Sequence, residues 1–452
     1  MAGTLKDLRQ AAVKSHQDGA FEDAARGYAQ FLAQVPGDVG VWSNLGVLHR
    51  VQGRHAAGLR AQERAIALDP NDKGVRNNLA NILSDLGQYD RSLEIRRGLL
   101  QDKPDDRTQK AMIGRCLRGK GDYAASIAYL TGAISDHPDD PELQLQLAFA
   151  QLGAGDYANA LQTYKARWAA GELQPRDLPF PEWQGEPLGG KTIVVLPEQG
   201  FGDAVLFARF LPVLKDRGAK VQMVVKPPLT RLFADLEGVD QIITELTVDT
   251  TADYWVNMMD LAAIHFAADR TVPAPAQLHV PQAAVDRAAV LTGPHQQAFK
   301  VGVIWTGSVT YKGNAFRSFS HRDFLPLTDV PGVKLFSLYK GPELAAYYAD
   351  GSDGFIVDAG SSERDFADCA AMMQAMDLVI TSDTATAHIA GSLGVPTWTV
   401  LHWDPFWVWR HEGETTEWYP GMRLFRQAEP MDWGPVHAEV RDALDSKVKG
   451  AM

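Results

Sequence analysis

Asp377-Leu-Val-Ile-Thr-Ser-Asp383-Thr384-Ala385-Thr-Ala-His388-Ile-Ala-Gly-Ser-Leu-Gly394-Val-Pro396 is the stretch on which the reading of this chain turns. Leu378-Val379-Ile380 has the apolar character of a buried parallel strand. Ser382 and Asp383 offer side-chain oxygens for a helix N-cap, small residues come next, and Gly394-Val395-Pro396 stops the helix before a second apolar run, Thr397–Leu401. A helix that begins at the carboxyl end of a parallel strand aims free N–H groups at the sheet edge, where an anion can sit. The same pattern also describes an ordinary strand-to-helix turn.

Working outward, the chain alternates strands and helices on both sides of this stretch. Thr192–Leu196 reads as a strand, followed by the loop Glu198-Gln-Gly200-Phe201-Gly202-Asp203 and an amphipathic helix from Ala204 to Lys215. Val221–Val225 reads as the next strand, with a helix near 228–236 and weaker strands at 242–243 and 254–256. Beyond the prolines 273, 275 and 281, strands are expected at Lys300–Trp305, Val333–Leu338 and Phe355–Val357, and a helix at Arg364–Met376. Such alternation predicts doubly wound parallel sheets, whose ligands gather at the carboxyl ends of the strands.

Three loops of the later half carry phosphate-binding chemistry. They are 306–318, with Thr306, Ser308, Lys312 and Arg317; 337–341, with Ser337, Tyr339 and Lys340; and 382–388, with Asp383, Thr384, Ala385 and His388. Each of these charges also reads as a solvated surface group, and His388 as a packed helix histidine. In the earlier half, Gly200 and Gly202 let backbone approach a substrate. Asp203 is either a first-turn aspartate facing the helix dipole or a general base. Residues 402–419 hold Trp403, Phe406, Trp407, Trp409, Trp418 and Tyr419, a packing segment returning to the first half or a stacking wall.

The first 170 residues obey a different rule. Pro36, Pro70, Pro104 and Pro138 recur every 34 residues, and Gly19, Gly53, Gly87, Gly121 and Gly155 keep the same interval. Two residues after each glycine stands a ring (Phe21, His55, Tyr89, Tyr123, Tyr157), and three further on a small residue (Ala24, Gly58, Ser92, Ser126, Ala160). This resembles the tetratricopeptide repeat, a stack of helix pairs whose inner face binds polypeptide. Five copies fit, at about 3–36, 37–70, 71–104, 105–138 and 139–170.

Composition sets outer bounds. A chain of 452 residues with 45% hydrophobic and 22% charged residues is globular and holds more than one domain. A net charge of -12 argues against nucleic-acid binding. Cys116 and Cys369 read as buried thiols of a reducing compartment, and no apolar run reaches membrane-spanning length, so a cytoplasmic protein is expected.

The motifs Gly200-Phe-Gly202-Asp203, Trp305-Thr-Gly-Ser308 with Arg317-Ser318, Ser337–Gly341, Asp383-Thr384-Ala385 with His388, and Trp418-Tyr-Pro with Met422–Gln427 together resemble a two-lobe GT-B glycosyltransferase. The likeness covers roughly 180–445. It is to heptosyltransferase-like enzymes of glycosyltransferase family nine and their tetratricopeptide-fused relatives. It implies an α-solenoid at 1–170, a linker at 171–190, an N-terminal Rossmann-like lobe on the acceptor side at 191–285, and a C-terminal Rossmann-like lobe on the nucleotide-sugar side at 286–452. It implies that Asp203 is the catalytic base and that Lys312 and the Asp383 turn hold the donor. Ala385 stands where the family has glycine. The array also resembles that of O-linked N-acetylglucosamine transferases, which implies that Asn44 and Asn78 hold acceptor backbone, although Met112 and Gln146 break that series; the two asparagines read equally as solvated polar groups of their helices.

The expected function is therefore an inverting, metal-independent glycosyltransferase with no cofactor beyond its nucleotide-sugar co-substrate. Its acceptor is a Ser/Thr hydroxyl of a protein selected by the repeats, and the resemblance includes flagellin-modifying enzymes. A transferase acting on a lipid- or polysaccharide-bound sugar, and a non-catalytic repeat scaffold, are the alternatives.

Overall fold

A computed structural model describes residues 4–171 and 173–451, which form two compact units, one up to Ala150 and the other from Gln151. The first unit is a run of antiparallel helix pairs: α1 (Leu5–Gln17) with α2 (Phe21–Leu32), α3 (Val39–Val51) with α4 (His55–Leu68), α5 (Lys73–Asp85) with α6 (Tyr89–Asp102), and α7 (Arg107–Gly119) with α8 (Tyr123–Asp136). Helix α9 (Pro141–Ala154) comes next, and its last residues belong to the second unit.

The 34-residue columns have direct physical causes. The glycines at 19, 53, 87, 121 and 155 all take positive φ, between 69° and 82°, a left-handed turn that a side chain would strain. Asp38, Asp72 and Asp106, also 34 apart, cap α3, α5 and α7 by accepting from the N–H three residues on. The small-residue column lies where helices pack closely: a Cβ on Gly58 of α4 would come within 3.0 Å of the Gly46 carbonyl of its partner α3 and 2.6 Å of Ile82 Cδ1 of α5. Serine at that column is tolerated because Ser92 and Ser126 donate to the carbonyls of Ala80 and Gly114, each at 2.8 Å.

In the second unit, α10 (Tyr157–Thr163) and α11 (Ala166–Ala169) precede the first sheet. Its strands are β1 (Thr192–Leu196), β2 (Lys220–Val224), β3 (Gln241–Ile243) and β4 (Tyr254–Asn257), all parallel, in the order β3-β2-β1-β4. Its helices are α12 (Phe201–Phe207), α13 (Pro212–Lys215) and α14 (Asp260–Ala268). The second sheet, also all parallel, has six strands: β5 (Phe299–Ile304), β6 (Val333–Ser337), β7 (Ile356–Asp358), β8 (Leu378–Ser382), β9 (Thr397–Leu401) and β10 (Met422–Arg426). They lie in the order β10-β9-β8-β5-β6-β7, flanked by α15 (Gln282–Thr292), α16 (Asn314–Arg317), α17 (Leu344–Ala349), α18 (Phe366–Gln374), α19 (Ala385–Ser392) and α20 (Gly434–Ala451).

Several expectations are corrected. The helix expected at 204–215 starts at Phe201 and breaks before Pro212, whose ring cannot continue the ladder. No α-helix forms at 228–236; Pro227 and Pro228 instead start a short 3-10 turn ending at Leu229. The last expected repeat forms its two helices, α9 and α10, but the division between the units falls within it, and α10 packs on α14 of the first sheet's layer. Helix α15 begins at Gln282 and packs on α18, so the second sheet's layer starts before residue 286. Met422–Arg426, part of a motif in the sequence, is the sixth strand. Both cysteines are buried and free. Among the described residues no helix is long and apolar enough to cross a membrane.

Candidate functional site

In the second sheet the chain order reverses between β5 and β8: β6 and β7 extend one way, β8, β9 and β10 the other. Loops leaving neighbouring strands in opposite directions open a crevice at their carboxyl ends, and there a parallel sheet takes its ligand. The loops at this point are 305–318 and 383–384. The first sheet reverses at β1, and the loop after β1 carries Gly200, Gly202 and Asp203. The structure brings these loops together. A Cβ placed on Gly202 would lie 3.0 Å from His388 Cδ2 and 3.3 Å from Ala385 Cα, so α12 meets the N-terminus of α19 backbone to backbone. A side chain there would force its neighbours to give by a few tenths of an ångström, so glycine suits that approach.

Asp203 is the third residue of α12 and lies in its first turn. Its Oδ2 accepts from the Gly200 N–H at 2.9 Å, the aspartate half of a capping box. Part of the residue's surface stays accessible, yet burial pushes its carboxyl above the ordinary value. The Gly200 N–H and Arg317 restrain that rise, and the nearby Asp383 carboxylate adds to it.

Around Asp383 the expected cap is revised. Ser382 continues β8 in register with Val400, and Thr384 is the N-cap of α19 without a side-chain cap bond. The Thr384 and Thr386 hydroxyls bond each other at 2.6 Å. His388, 4% exposed, pairs its Nδ1 with Tyr419 Oη at 3.1 Å and stacks on Trp409 at 5.3 Å. Burial lowers its imidazole to about 4, against the pull of Asp383, so it is neutral at pH 7.

In the loop after β5, Asn314 is the organiser. Its Nδ2 donates to Thr306 Oγ1 (2.9 Å), and its Oδ1 accepts from Gly307 N–H (3.3 Å) and Arg317 Nε (3.4 Å). Thr306 is thereby held inside the loop, with Ser318 Oγ at 2.7 Å. Arg317 stacks over Tyr311 at 4.5 Å and lies in electrostatic reach of Asp203, His388 and His402. Ser308 and Lys312 stand toward solvent, the former bonded to Thr310 at 2.8 Å.

The third loop is not gathered in the same way. Lys340 Nζ donates to the carbonyl of Glu363, Tyr339 packs on Trp305 at 4.9 Å, and Ser337 ends β6 with its hydroxyl buried. Two cavities of about 260 and 320 Å³ lie elsewhere: one behind α19 against Tyr419 and Met422, the other between α15 and α18. In the array, Asn78 donates to Ser43 Oγ at 3.0 Å, and Asn44 hydrogen-bonds the Tyr28 hydroxyl.

The sequence reading missed Tyr311, Asn314, His402 and the buried Arg209. His402 comes directly after β9 and was findable by the strand-end rule that picked out the other loops. Arg209, on the short turn after α12, donates to the carbonyls of Pro273 and Trp418 at 3.2 and 3.0 Å and stacks on Tyr419 at 4.8 Å. It carried no local signal.

The loop bearing Asp203 is anchored from behind. Arg167 of α11 donates to both oxygens of Glu198, at 2.9 and 3.0 Å, and to Asp260 at 2.8 Å. The arginine is 1% exposed and the Glu198 side chain 0%. The two carboxylates hold Arg167 more firmly charged, while burial raises Glu198 despite its partner. These directions disagree about how well the pair is compensated. The bidentate geometry, with a further N–H from Met259 at 3.3 Å, decides for the ionised pair. Gln199 is fixed too, donating to Tyr164 Oη at 3.0 Å and accepting from Lys226 at its carbonyl.

The sheets also touch through Arg231, which donates to Asp365 and Asp368 at 3.1 to 3.2 Å, and through Phe201 against Phe366 at 5.0 Å. Among the described residues no group of three or more His, Cys, Asp or Glu is placed to hold a metal ion.

Tetratricopeptide-repeat family models match residues 17–73, 61–94 and 117–176. The first unit is a tetratricopeptide array. Protein FlbA of Caulobacter vibrioides is 27% identical over 316 residues, 63% of this chain and 51% of that protein. The chain thus spans about half the length of that relative. Among solved structures, a MamA protein is 16% identical at a TM-score of 0.33, covering 40% of this chain and 100% of that one. MamA from Desulfovibrio magneticus RS-1 is 16% identical at 0.34, covering 38% and 97%. A tetratricopeptide repeat protein from Parabacteroides merdae is 15% identical at 0.33, covering 37% and 67%. Likenesses this distant give no residue a role.

Proposed function

We propose that the second unit is an inverting GT-B glycosyltransferase that moves a sugar from a nucleotide-sugar to a Ser/Thr hydroxyl of a protein selected by the array. The observation that carries this reading is the meeting of the Asp203 loop with the N-terminus of α19 at the reversal points of two parallel sheets. Asp203 would take the acceptor hydroxyl's proton as its oxygen attacks the anomeric carbon. The bond from that carbon to the donor phosphate oxygen breaks, and the phosphate leaves as an anion. Arg317 and the N–H groups at the start of α19 would stabilise that charge, with Lys312 on the exposed arm of the same loop. A carboxyl raised by burial suits a general base, since it binds the proton more tightly than a surface aspartate would.

The test is intact-mass analysis of an acceptor protein, flagellin first, after incubation with the chain and a panel of nucleotide-sugars. The expected result is added sugar mass that Asp203→Asn abolishes. Unchanged mass with every donor, together with no thermal shift from UDP, GDP, ADP or CMP, would leave the scaffold reading. One observation favours that rival: Trp409 and Tyr419 already cover His388.

A further inference from the structure

Two arginines of the array flank one carboxylate, and a third lies buried behind them. Arg50 of α3 donates through Nε to Asp85 of α5, and Arg115 Nη2 of α7 lies 4.0 Å from the same carboxylate. Arg96 of α6 is buried beneath them, 1% exposed, and donates to neutral oxygens: Ser92 Oγ (3.1 Å), Gln109 Oε1 (3.2 Å) and Asn81 Oδ1 (2.8 Å). Asn81 stands one turn before Asp85 on α5, so the buried and surface guanidiniums share one patch. Burial lowers Arg96 most, and repulsion from Arg115 and Arg50 adds to the drop. Around Asp85 two guanidiniums thus meet one carboxylate, with the Arg96 guanidinium behind them, in a chain whose net charge is -12. A buried charge without a full counter-charge is costly. The surface above it is accessible: the Arg115 side chain is 42% exposed and that of Arg50 33%.

We infer that the face of α3, α5 and α7 around Asp85 docks an acidic stretch of a partner polypeptide, whose carboxylates pair with the accessible guanidiniums of Arg50 and Arg115. The charge imbalance selects Asp or Glu side chains over neutral or basic ones. This inference rests on the array alone and stands whether or not the second unit transfers a sugar.

The experiment uses the full chain and a fluorescein-labelled peptide of Asp spaced by Gly-Ser, with its Asn counterpart as control, read by fluorescence anisotropy. The Asp peptide should bind, and binding should weaken as salt rises. Arg115→Glu, at an exposed position, should weaken it about tenfold or more, as expected for a charge-assisted contact reversed in sign. Asp85→Asn should tighten it, an outcome no merely structural role would give. Equal binding of the Asn peptide, an unchanged affinity in Arg115→Glu, or weaker binding in Asp85→Asn would overturn the inference.

Discussion

Replacing Arg167 by methionine tests how the candidate base is held in place. The change leaves Glu198, with a wholly buried side chain, facing Asp260 with no cation between them. Breaking a buried pair from one side costs about 3–5 kcal/mol, because the surviving charge stays desolvated. For a unit of this size about 1 kcal/mol lowers Tm by roughly 2–4 °C, so a fall on the order of 10 °C is expected. Ten of the eleven tryptophans lie beyond residue 150, only Trp42 within the array, so tryptophan fluorescence during thermal or urea unfolding reports the second unit. Arg167→Met combined with Glu198→Gln removes both members of the closest pair and should recover more than half of the loss. A loss under about 1 kcal/mol in the single variant, or no recovery in the double, would refute the account of Arg167 as the charge that holds Glu198 in the core.

Asp203→Asn should cut turnover about 10²–10⁴-fold while nucleotide-sugar binding, read by calorimetry, persists. The same variant should melt higher at neutral pH. The folded state raises the Asp203 pKa and so binds its proton more tightly than the unfolded chain does; stability is lost as pH rises through that raised value. The gain should vanish below the ordinary aspartate pKa of 3.8, which melting curves across pH would check. Gly202→Val should wedge the lobes at the 3.0 Å contact with His388, lowering turnover by about 10²-fold with a smaller effect on Tm. Arg317→Ala should weaken nucleotide-sugar binding more than Lys312→Ala, because Arg317 is within electrostatic reach of Asp203 and His388 whereas Lys312 is exposed; calorimetry on the two variants decides it.

The array was legible because its constraints are local. A left-handed turn needs glycine and an N-cap needs aspartate, so a 34-residue period surfaces in the residues themselves. The parallel strands were legible for a similar reason, since β8 and β9 are buried along their whole length and read as apolar runs. Boundaries set by tertiary contacts were not. Ser382 has the chemistry of a cap, yet pairing with β9 keeps it in the strand and passes the cap to Thr384. Tyr157 fits the repeat's ring column, but its hydroxyl, accepting from Trp418 Nε1 at 3.0 Å and donating to Glu417 at 2.7 Å, ties it to the second unit. Arg209 and Arg167 gave no signal because nothing near them in sequence marks a buried cation. Their partners lie up to 209 and 93 residues away.

The packing of Tyr157 against Phe266, Trp407 and Trp418 has a consequence for how such a chain can be taken apart or recombined. A cut at residue 170, where the periodic signal fades, would strip a ring, a hydroxyl and the Arg167 cation from the interior of the sheet-bearing half and leave two indoles bare. A graft of a foreign array onto this half must therefore bring the native 151–170 segment with it.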